Sequence, residues 1–243
     1  MSKYVVMATW DDAPHLSDED KADLLAGIPE YQRDARSKGV PQLGSGAIFP
    51  IPEEDIKCAP FAIPSYWALI GGMDFGWDHP FAAAMLAHDR DTDTLYLTHT
   101  YRKSQATPLI HAEAIRQWGF EGMPWAWPHD GQQHGKNDGV QLAQIYRGHR
   151  LNLLTDFARF EDGSYGLEAG IMLMLEYMQS GRFKVFSHLS EFFEEFRMYH
   201  RDEGVIVKER EDLISAVRYA VMCRRYAEPP QSRNLPKMAV MRY

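Results

Sequence analysis

Three aspartates stand where the predicted elements would expose a carboxylate on a rigid support. Asp74 ends an apolar segment, Asp130 follows a short segment rich in tryptophan and proline, and Asp212 begins an apolar helical pattern. Each also has an ordinary structural explanation, because aspartate favours turns and stabilises the first turn of a helix. The three lie far apart in the sequence, so only the fold can bring them into one site.

The chemistry of such a site would depend on cations. Three ionised carboxylates in one place repel one another and raise each other's pKa values unless cations bind between them. Oxygen ligands without a thiolate or a histidine cluster favour Mg²⁺ or Mn²⁺ over zinc. Two such ions, about 4 Å apart, can activate water and stabilise the leaving oxygen in phosphodiester hydrolysis. If the aspartates do not converge, the sequence describes only a soluble α/β domain whose acids cap turns and helices.

The apolar patterns predict an antiparallel meander followed by βαβ units. The predicted strands are residues 66–73, 81–87, 94–101, 125–128, 151–154 and 183–186, and the predicted helices are residues 108–118, 138–148, 165–179, 189–200 and 212–226. We therefore predict an α/β fold with a mixed β-sheet, composed of an antiparallel meander plus parallel strands, and with helices on both faces. If residues 125–128 run parallel beside a central first strand, Asp74 and Asp130 leave the sheet at the same edge.

Composition divides the 243 residues into three predicted regions. Residues 1–57 contain too little apolar sequence for a core of their own and are predicted to be a linker or the end of a preceding domain. Within them, Ser17 and Asp20 have the spacing of a capping box at a helix start. Residues 58–226 form the predicted globular domain, and residues 227–243 form a basic C-terminal tail.

The charge and the cysteine content exclude several classes of protein. The net charge of −8 differs from that of a globally basic nucleic-acid coat protein or a protein bound to a membrane surface. The longest uncharged stretch, residues 58–73, contains two prolines and is a poor membrane span. Two cysteines are too few for a disulfide scaffold and fit a reducing compartment.

Four segments together resemble the large terminase subunits of tailed bacteriophages. They are residues 8–16 (ATWDDAPHL), 42–50 (QLGSGAIFP), 72–76 (GMDFG) and 212–220 (DLISAVRYA). The order of the predicted elements, with carboxylates at the ends of two strands and on the closing helix, is similar to that of the ribonuclease H-like nucleases.

This resemblance implies a C-terminal nuclease domain that cuts concatemeric double-stranded DNA during viral genome packaging, in the host cytoplasm at the assembling procapsid. It implies that Asp74, Asp130 and Asp212 are both the catalytic and the metal-binding residues. Asp74 would bridge two Mg²⁺ or Mn²⁺ ions, and Asp130 and Asp212 would complete one ion each. Glu209 and Glu211 stand beside Asp212 and are alternative candidates for the third ligand.

The resemblance also implies partners. These are double-stranded DNA, the terminase small subunit, the capsid portal and an N-terminal packaging ATPase, with no membrane involved. We expect the ATPase to be absent from this chain. The segment nearest to a phosphate-binding loop, residues 131–137, has three residues between its glycines where the motif has four, and it ends in Asn137 instead of the Ser or Thr that binds Mg²⁺.

Basic side chains near the predicted edge and on the final helix are candidates for contact with DNA phosphates. They are Arg102, Lys103, Lys136, Arg218, Arg224 and Arg225. His129 and His134 flank Asp130 and are candidates to orient water or phosphate. Two other functions stay open. One is a junction resolvase or recombinase of the same fold, which would prefer branched DNA, and the other is a non-catalytic module that docks on the portal.

Overall fold

A mixed β-sheet with helices on both faces makes up the protein in the computed structural model, which describes residues 9–13, 15–26, 28, 33–38, 46–120, 122–132, 141–202 and 205–230. The strands are β1 (Lys57–Cys58), β2 (Ala68–Asp74), β3 (Phe81–Asp89), β4 (Thr94–Lys103), β5 (Pro124–Ala126), β6 (Asn152–Leu153), β7 (Phe183–Phe186), β8 (Arg201–Asp202) and β9 (Val205–Ile206). The α-helices are α1 (Asp18–Ala26), α2 (Arg33–Lys38), α3 (Glu53–Ile56), α4 (Pro108–Arg116), α5 (Leu142–Gly148), α6 (Leu167–Gln179), α7 (Ser190–Met198) and α8 (Asp212–Met222). Short 3-10 helices cover Trp10–Asp12, His129–Gln132 and Arg224–Tyr226. Within these ranges, no helix has both the length and the apolar character needed to cross a membrane.

Seven strands form the main sheet in the order β1-β7-β4-β3-β2-β5-β6, and β8 pairs with β9 in a separate antiparallel hairpin. The predicted meander is present, since β2 pairs with β3 and β3 pairs with β4 in antiparallel fashion. The pairs β2 and β5, β5 and β6, β4 and β7, and β1 and β7 are parallel. The predicted α/β fold with a mixed sheet is therefore confirmed, and β5 lies parallel beside β2 with Gly72 opposite Ala126.

Both faces of β2 and β3 are buried, which explains why their sequences are almost continuously apolar. Residues such as Ile70 and Leu86 pack in the core that includes α6, α7 and α8, whereas residues such as Leu69 and Met85 pack in the core that includes α4 and α5. Helix α8 approaches β2 so closely that a Cβ atom at Gly72 would overlap the helix backbone. Glycine at this position therefore sets how deeply α8 and the acids at its start sit against the sheet.

Several element boundaries differ from the prediction for local reasons. Strand β2 begins at Ala68 instead of residue 66, because the N–H of Trp67 donates to the carbonyl of Pro64 in a turn (3.1 Å). Helix α8 ends at Met222, and the predicted continuation to residue 226 is a 3-10 turn. The first half of the predicted helix 138–148 lies largely outside the described residues. The β8–β9 hairpin was not predicted, because its strands are too short to show an alternating pattern.

Residues 46–58 pack on the sheet, although the sequence predicts a linker there. Phe49 stacks on Phe196 with ring centroids 5.7 Å apart, Ile56 is fully buried, and β1 pairs with β7. Ala227 is buried at the other end of the domain. The core therefore extends beyond both predicted boundaries, which lie at residues 57 and 226.

The predicted capping box is present at α1. The Oγ atom of Ser17 accepts a hydrogen bond from the N–H of Asp20, and the Asp20 carboxylate accepts one from the N–H of Ser17, both at 3.1 Å. This reciprocal pair satisfies backbone donors that a helix start otherwise leaves open.

Candidate functional site

Asp74, Asp130 and Asp212 lie at one edge of the sheet. Asp74 is the last residue of β2, and Asp130 lies in the 3-10 helix that follows β5. Because β2 and β5 are parallel, their carboxyl ends are side by side. Asp212 is the first residue of α8, which packs across β2. The fold therefore brings together three aspartates that are distant in the sequence.

These aspartates line a cleft of about 790 Å³. Its charged lining consists of Asp74, Arg102, Asp130, Lys208, Glu209, Arg210, Glu211 and Asp212, with His79 at its side. An adjoining hollow of about 470 Å³ shares several of these residues and continues to His129, Tyr165 and Arg218. We call the two spaces together the acidic cleft.

Asp74 lies where the negative charges of the acidic cleft concentrate. Burial is the largest cause that raises the pKa of the Asp74 carboxyl well above its ordinary value. The charges of Glu211 and Asp130 raise it further, and the guanidinium of Arg218 opposes them. The effect of Asp212 is smaller than that of Glu211. Of the two acids at the start of α8, Glu211 is therefore the one that acts more strongly on Asp74.

Glu211 and Asp212 have different surroundings within the acidic cleft. The Glu211 carboxylate accepts a hydrogen bond from the Oγ atom of Ser215 (2.7 Å), one helical turn further on. Burial raises the pKa of Asp212, and the charge of Arg102 opposes that rise. The sequence left the third ligand open between Asp212, Glu209 and Glu211, and the structure brings all three to the lining of the cleft.

Asp130 is held by a tight turn against the end of β5. A Cβ atom at Gly131 would overlap the rings of Phe75 and Trp127, so glycine is required for the turn to pack there. Loss of solvent raises the pKa of Asp130, whereas the N–H of Gly131 and the charge of His129 lower it. The Asp-Gly turn thus has a structural role and also directs a carboxylate to the cleft.

Glu195 is a buried carboxylate that fixes the start of α8. It is 1 % exposed and accepts hydrogen bonds from the N–H groups of Leu213 (2.8 Å) and Ile214 (3.1 Å) and from Nη1 of Arg102 (2.6 Å). Burial raises the pKa of Glu195 to about 7, although Ile214 and Arg102 favour the ionised form. The first N–H groups of a helix have no acceptor within the helix, so Glu195 satisfies two of them and positions Asp212.

Two of the predicted DNA-contact residues line the acidic cleft. Arg102 lies between Glu195 and Asp212. Arg218 is 5 % exposed, its guanidinium lies 4.3 Å from the centre of the Tyr219 ring, and its Nε atom has no hydrogen-bond partner in the described part of the chain. Lys103 follows Arg102 and is exposed at the same edge.

The structure does not bring Arg224 and Arg225 to the cleft. Arg224 donates from Nε to the Tyr177 hydroxyl (2.7 Å), and Arg225 donates to the carbonyl of Arg159 (2.8 Å). Both residues follow the C-terminal end of α8, an 11-residue helix that is about 16 Å long at 1.5 Å per residue. They therefore lie at the far end of the helix from Asp212. Lys136 lies outside the described residues.

Sequence reasoning missed Glu195, Lys208 and Tyr165. Glu195 stands inside a helix with an apolar stripe, which gives no sign that an acid there is buried. Lys208 belongs to a run of mixed charges, Lys208 to Asp212, and Tyr165 stands just before a predicted helix. Only the folded chain shows that Lys208 and Tyr165 line the acidic cleft.

The donor set of the acidic cleft fits hard divalent cations, because it consists of carboxylate oxygens. Among the residues that the structure describes, no three acidic, histidine or cysteine side chains surround a single point closely enough to hold one ion. Mg²⁺ does not need such a group, since it commonly binds through one or two carboxylates and completes its shell with water and substrate phosphate. Pairs of acids from this cleft are therefore a chemically suitable set for such ions.

An antiparallel meander that continues into parallel strands, with acids at the ends of two strands and on the closing helix, defines the ribonuclease H-like fold. A family model described as "Terminase RNaseH-like domain" matches residues 71–224, and the chain belongs to this family. The resemblance to the nuclease domain of phage terminase large subunits is thereby confirmed.

Relatives from phages agree with this assignment. The large terminase subunit of Salmonella phage P22 is 45 % identical over 237 residues, which is 97 % of this chain and 47 % of that protein. The chain thus spans about half the length of this relative. The solved nuclease domain of the P22 large terminase is 46 % identical with a TM-score of 0.71, covering 76 % of this chain and 96 % of that one. The large terminase nuclease of thermophilic phage G20c, solved with bound magnesium, shares the fold at 13 % identity and a TM-score of 0.52, covering 74 % of this chain and 98 % of that one.

Proposed function

We propose that this chain is a divalent-metal-dependent endonuclease that cuts concatemeric double-stranded viral DNA during genome packaging. The observation that carries the proposal is the convergence of Asp74, Asp130, Glu211 and Asp212 on one cleft at the carboxyl ends of two parallel strands. Such a density of like charge is unfavourable unless cations bind. Membership of the terminase family supports DNA as the substrate.

The proposed ions are Mg²⁺ or Mn²⁺, two per site. Asp74 would be shared between them, Asp130 would complete one, and the Glu211–Asp212 pair would complete the other. When bound, such ions supply an activated water and stabilise the leaving oxygen of a phosphodiester. The magnesium bound by the G20c nuclease, which shares the fold, supports this class of ion.

The basic side chains at the acidic cleft have separate proposed roles. The buried Arg218 favours the ionised form of Asp74, which is the form that binds a cation. Lys208 and Arg102 line the acidic cleft and would attract the phosphates on either side of the scissile bond. Glu195 would hold Arg102 in place for that purpose.

The remaining partners follow from the family of the whole relatives. We propose that the chain acts together with a packaging ATPase domain, the terminase small subunit and the capsid portal. Its place of action would be the host cytoplasm, at the assembling procapsid.

Cleavage of supercoiled plasmid in Mn²⁺ or Mg²⁺ tests the proposal. We expect nicked and linear products from the unaltered chain, a loss of at least 100-fold in Asp74→Asn and Asp130→Asn, and unchanged activity in Asp91→Asn as a control. Asp91 is an exposed acid in the β3–β4 turn, at the opposite end of the sheet. Full activity of both site variants would refute the assignment. Cleavage restricted to branched DNA would favour a resolvase, and capture by the portal without any cleavage would favour a docking module.

A further inference from the structure

An aromatic pair lies beside Asp130, and the proposed hydrolysis makes no use of it. The rings of His129 and Tyr165 stack in parallel, with centroids 5.5 Å apart and planes at 4° to each other. The ring of Phe157 meets both of them edge-on, at 4.7 Å from His129 and 5.3 Å from Tyr165. His129 and Tyr165 line the acidic cleft together with Asp74.

The strand end that carries Asp130 also supports this aromatic pair. Phe157 packs against the buried Trp127 with ring centroids 6.4 Å apart, and the N–H of Ala158 donates to the carbonyl of Trp127 (2.7 Å). The guanidinium of Arg159 covers Phe157 at 5.8 Å. The position of the pair relative to Asp130 is therefore fixed by packing on both sides of the turn.

Core packing does not explain the pair, because the Tyr165 side of it is open. Tyr165 is 53 % exposed, and His129 is also exposed. Rings that are held by neighbours and still present a free surface are suited to base stacking, since every nucleobase has a π face. Within a duplex, however, the faces of each base are covered by its neighbours. Only a base that has left the stack can reach such a ring.

We propose that His129 and Tyr165 form a stacking platform for an unpaired nucleobase next to the scissile phosphate. The inference deepens the proposed nuclease function and rests on it. His129 and Tyr165 line the same hollow as Asp74 and Asp130, so the platform lies beside the acids that would hold the ions. Lys208 lines the same hollow and provides a cation for the phosphate of that nucleotide. The consequence is that the strand is locally unpaired when it is cut.

Oligonucleotide cleavage in Mn²⁺ tests this consequence. We expect the 243-residue chain to cut a duplex with a short central bubble faster than the fully paired duplex. Base stacking contributes 1–3 kcal/mol per base, so Tyr165→Ala should slow bubble cleavage by about 5-fold to 150-fold. Tyr165→Phe and Tyr165→Trp retain the ring and should retain the preference. Tyr66→Ala is the matched control, because Tyr66 is 70 % exposed and precedes the opposite end of β2.

A binding measurement separates this inference from the nuclease proposal. Single strands that contain 2-aminopurine lose fluorescence when that base stacks, and Ca²⁺ in place of Mn²⁺ supplies an oxygen-binding cation for the acids. We expect quenching by the unaltered chain and by Tyr165→Phe, and none by Tyr165→Ala. Cleavage without quenching, or a Tyr165→Ala variant that cuts the bubble within 2-fold of the unaltered chain, would overturn the platform. Quenching without any cleavage would leave the platform standing and refute the nuclease.

Discussion

Replacing Asp74 by asparagine should stabilise the protein when metal is withheld. In the folded state Asp74 is partly buried, and its loss of solvent, together with the charges of Glu211 and Asp130, raises the pKa of its carboxyl well above the ordinary value. Each pKa unit corresponds to about 1.4 kcal/mol of preference for the uncharged form. We therefore expect Asp74→Asn to raise the free energy of unfolding in EDTA, by about 1.4 kcal/mol for each unit by which folding raises the pKa of Asp74. For a chain of this length, each kcal/mol corresponds to about 2–4 °C in Tm.

The pH dependence of this gain has a definite sign. Well below the ordinary aspartate pKa of about 3.9, the Asp74 carboxyl is protonated in both the folded and the unfolded states, so charge repulsion costs little there. As the pH rises from that ordinary pKa toward the raised folded-state pKa, the unfolded state releases its proton first and the unaltered protein loses stability. The advantage of Asp74→Asn should thus be small below about pH 3 and reach its full size above the folded-state pKa.

Thermal unfolding followed by circular dichroism measures the gain in stability of Asp74→Asn and its dependence on pH, with Asp91→Asn as the matched control. Added Mn²⁺ should raise the Tm of the unaltered chain, because a ligand that binds only the folded state stabilises it. The same addition should leave Asp74→Asn nearly unchanged. A lower Tm for Asp74→Asn in EDTA, or an equal response to Mn²⁺ in both proteins, would refute the electrostatic account of the cleft.

Three further perturbations test the parts that position the site. Glu195→Ala leaves Arg102 and two helix N–H groups without their acceptor, so we expect the free energy of unfolding in urea to fall by about 3–5 kcal/mol. Glu195→Gln should lower it by less. Equal losses in the two variants would contradict the role of the charge. Gly72→Ala forces α8 away from β2, so we expect the free energy of unfolding to fall by more than about 2 kcal/mol and cleavage to be reduced. An unchanged midpoint of urea unfolding would show that the close approach of α8 to β2 is not needed. Glu211→Gln should weaken Mn²⁺ binding in titration calorimetry more than Glu209→Gln does, because the charge of Glu211 is the largest of those that raise the pKa of Asp74. The reverse order would exclude Glu211 as a ligand.

The convergence of the aspartates was predictable because it depends on local signals. The apolar run that ends at Asp74 and the Asp-Gly turn at Asp130 mark strand ends, and the order of elements makes those strands parallel neighbours. The apolar helical pattern after Asp212 then predicts a helix that packs on the sheet. These signals lie within single segments, but the convergence also needs the parallel pairing of β2 with β5, which the prediction set as a condition and the structure shows.

The features that the sequence did not predict depend on contacts between distant segments. Glu195 has the appearance of a polar-face residue in α7, and it becomes buried only because the start of α8 packs against it. Tyr165 meets His129 only because the segment after β6 returns to the end of β5, where the N–H of Ala158 donates to the carbonyl of Trp127. Arg224 and Arg225 adjoin the site helix in sequence, yet the length of α8 carries them to its far end.

Diffraction from a crystal grown with Mn²⁺ and a short DNA duplex, recorded with anomalous scattering, tests the central proposal most directly. We expect two anomalous peaks in the acidic cleft, both within coordination distance of Asp74, with Asp130 at one of them and Glu211 or Asp212 at the other. Peaks elsewhere on the protein, or none in the cleft while DNA is bound, would contradict it.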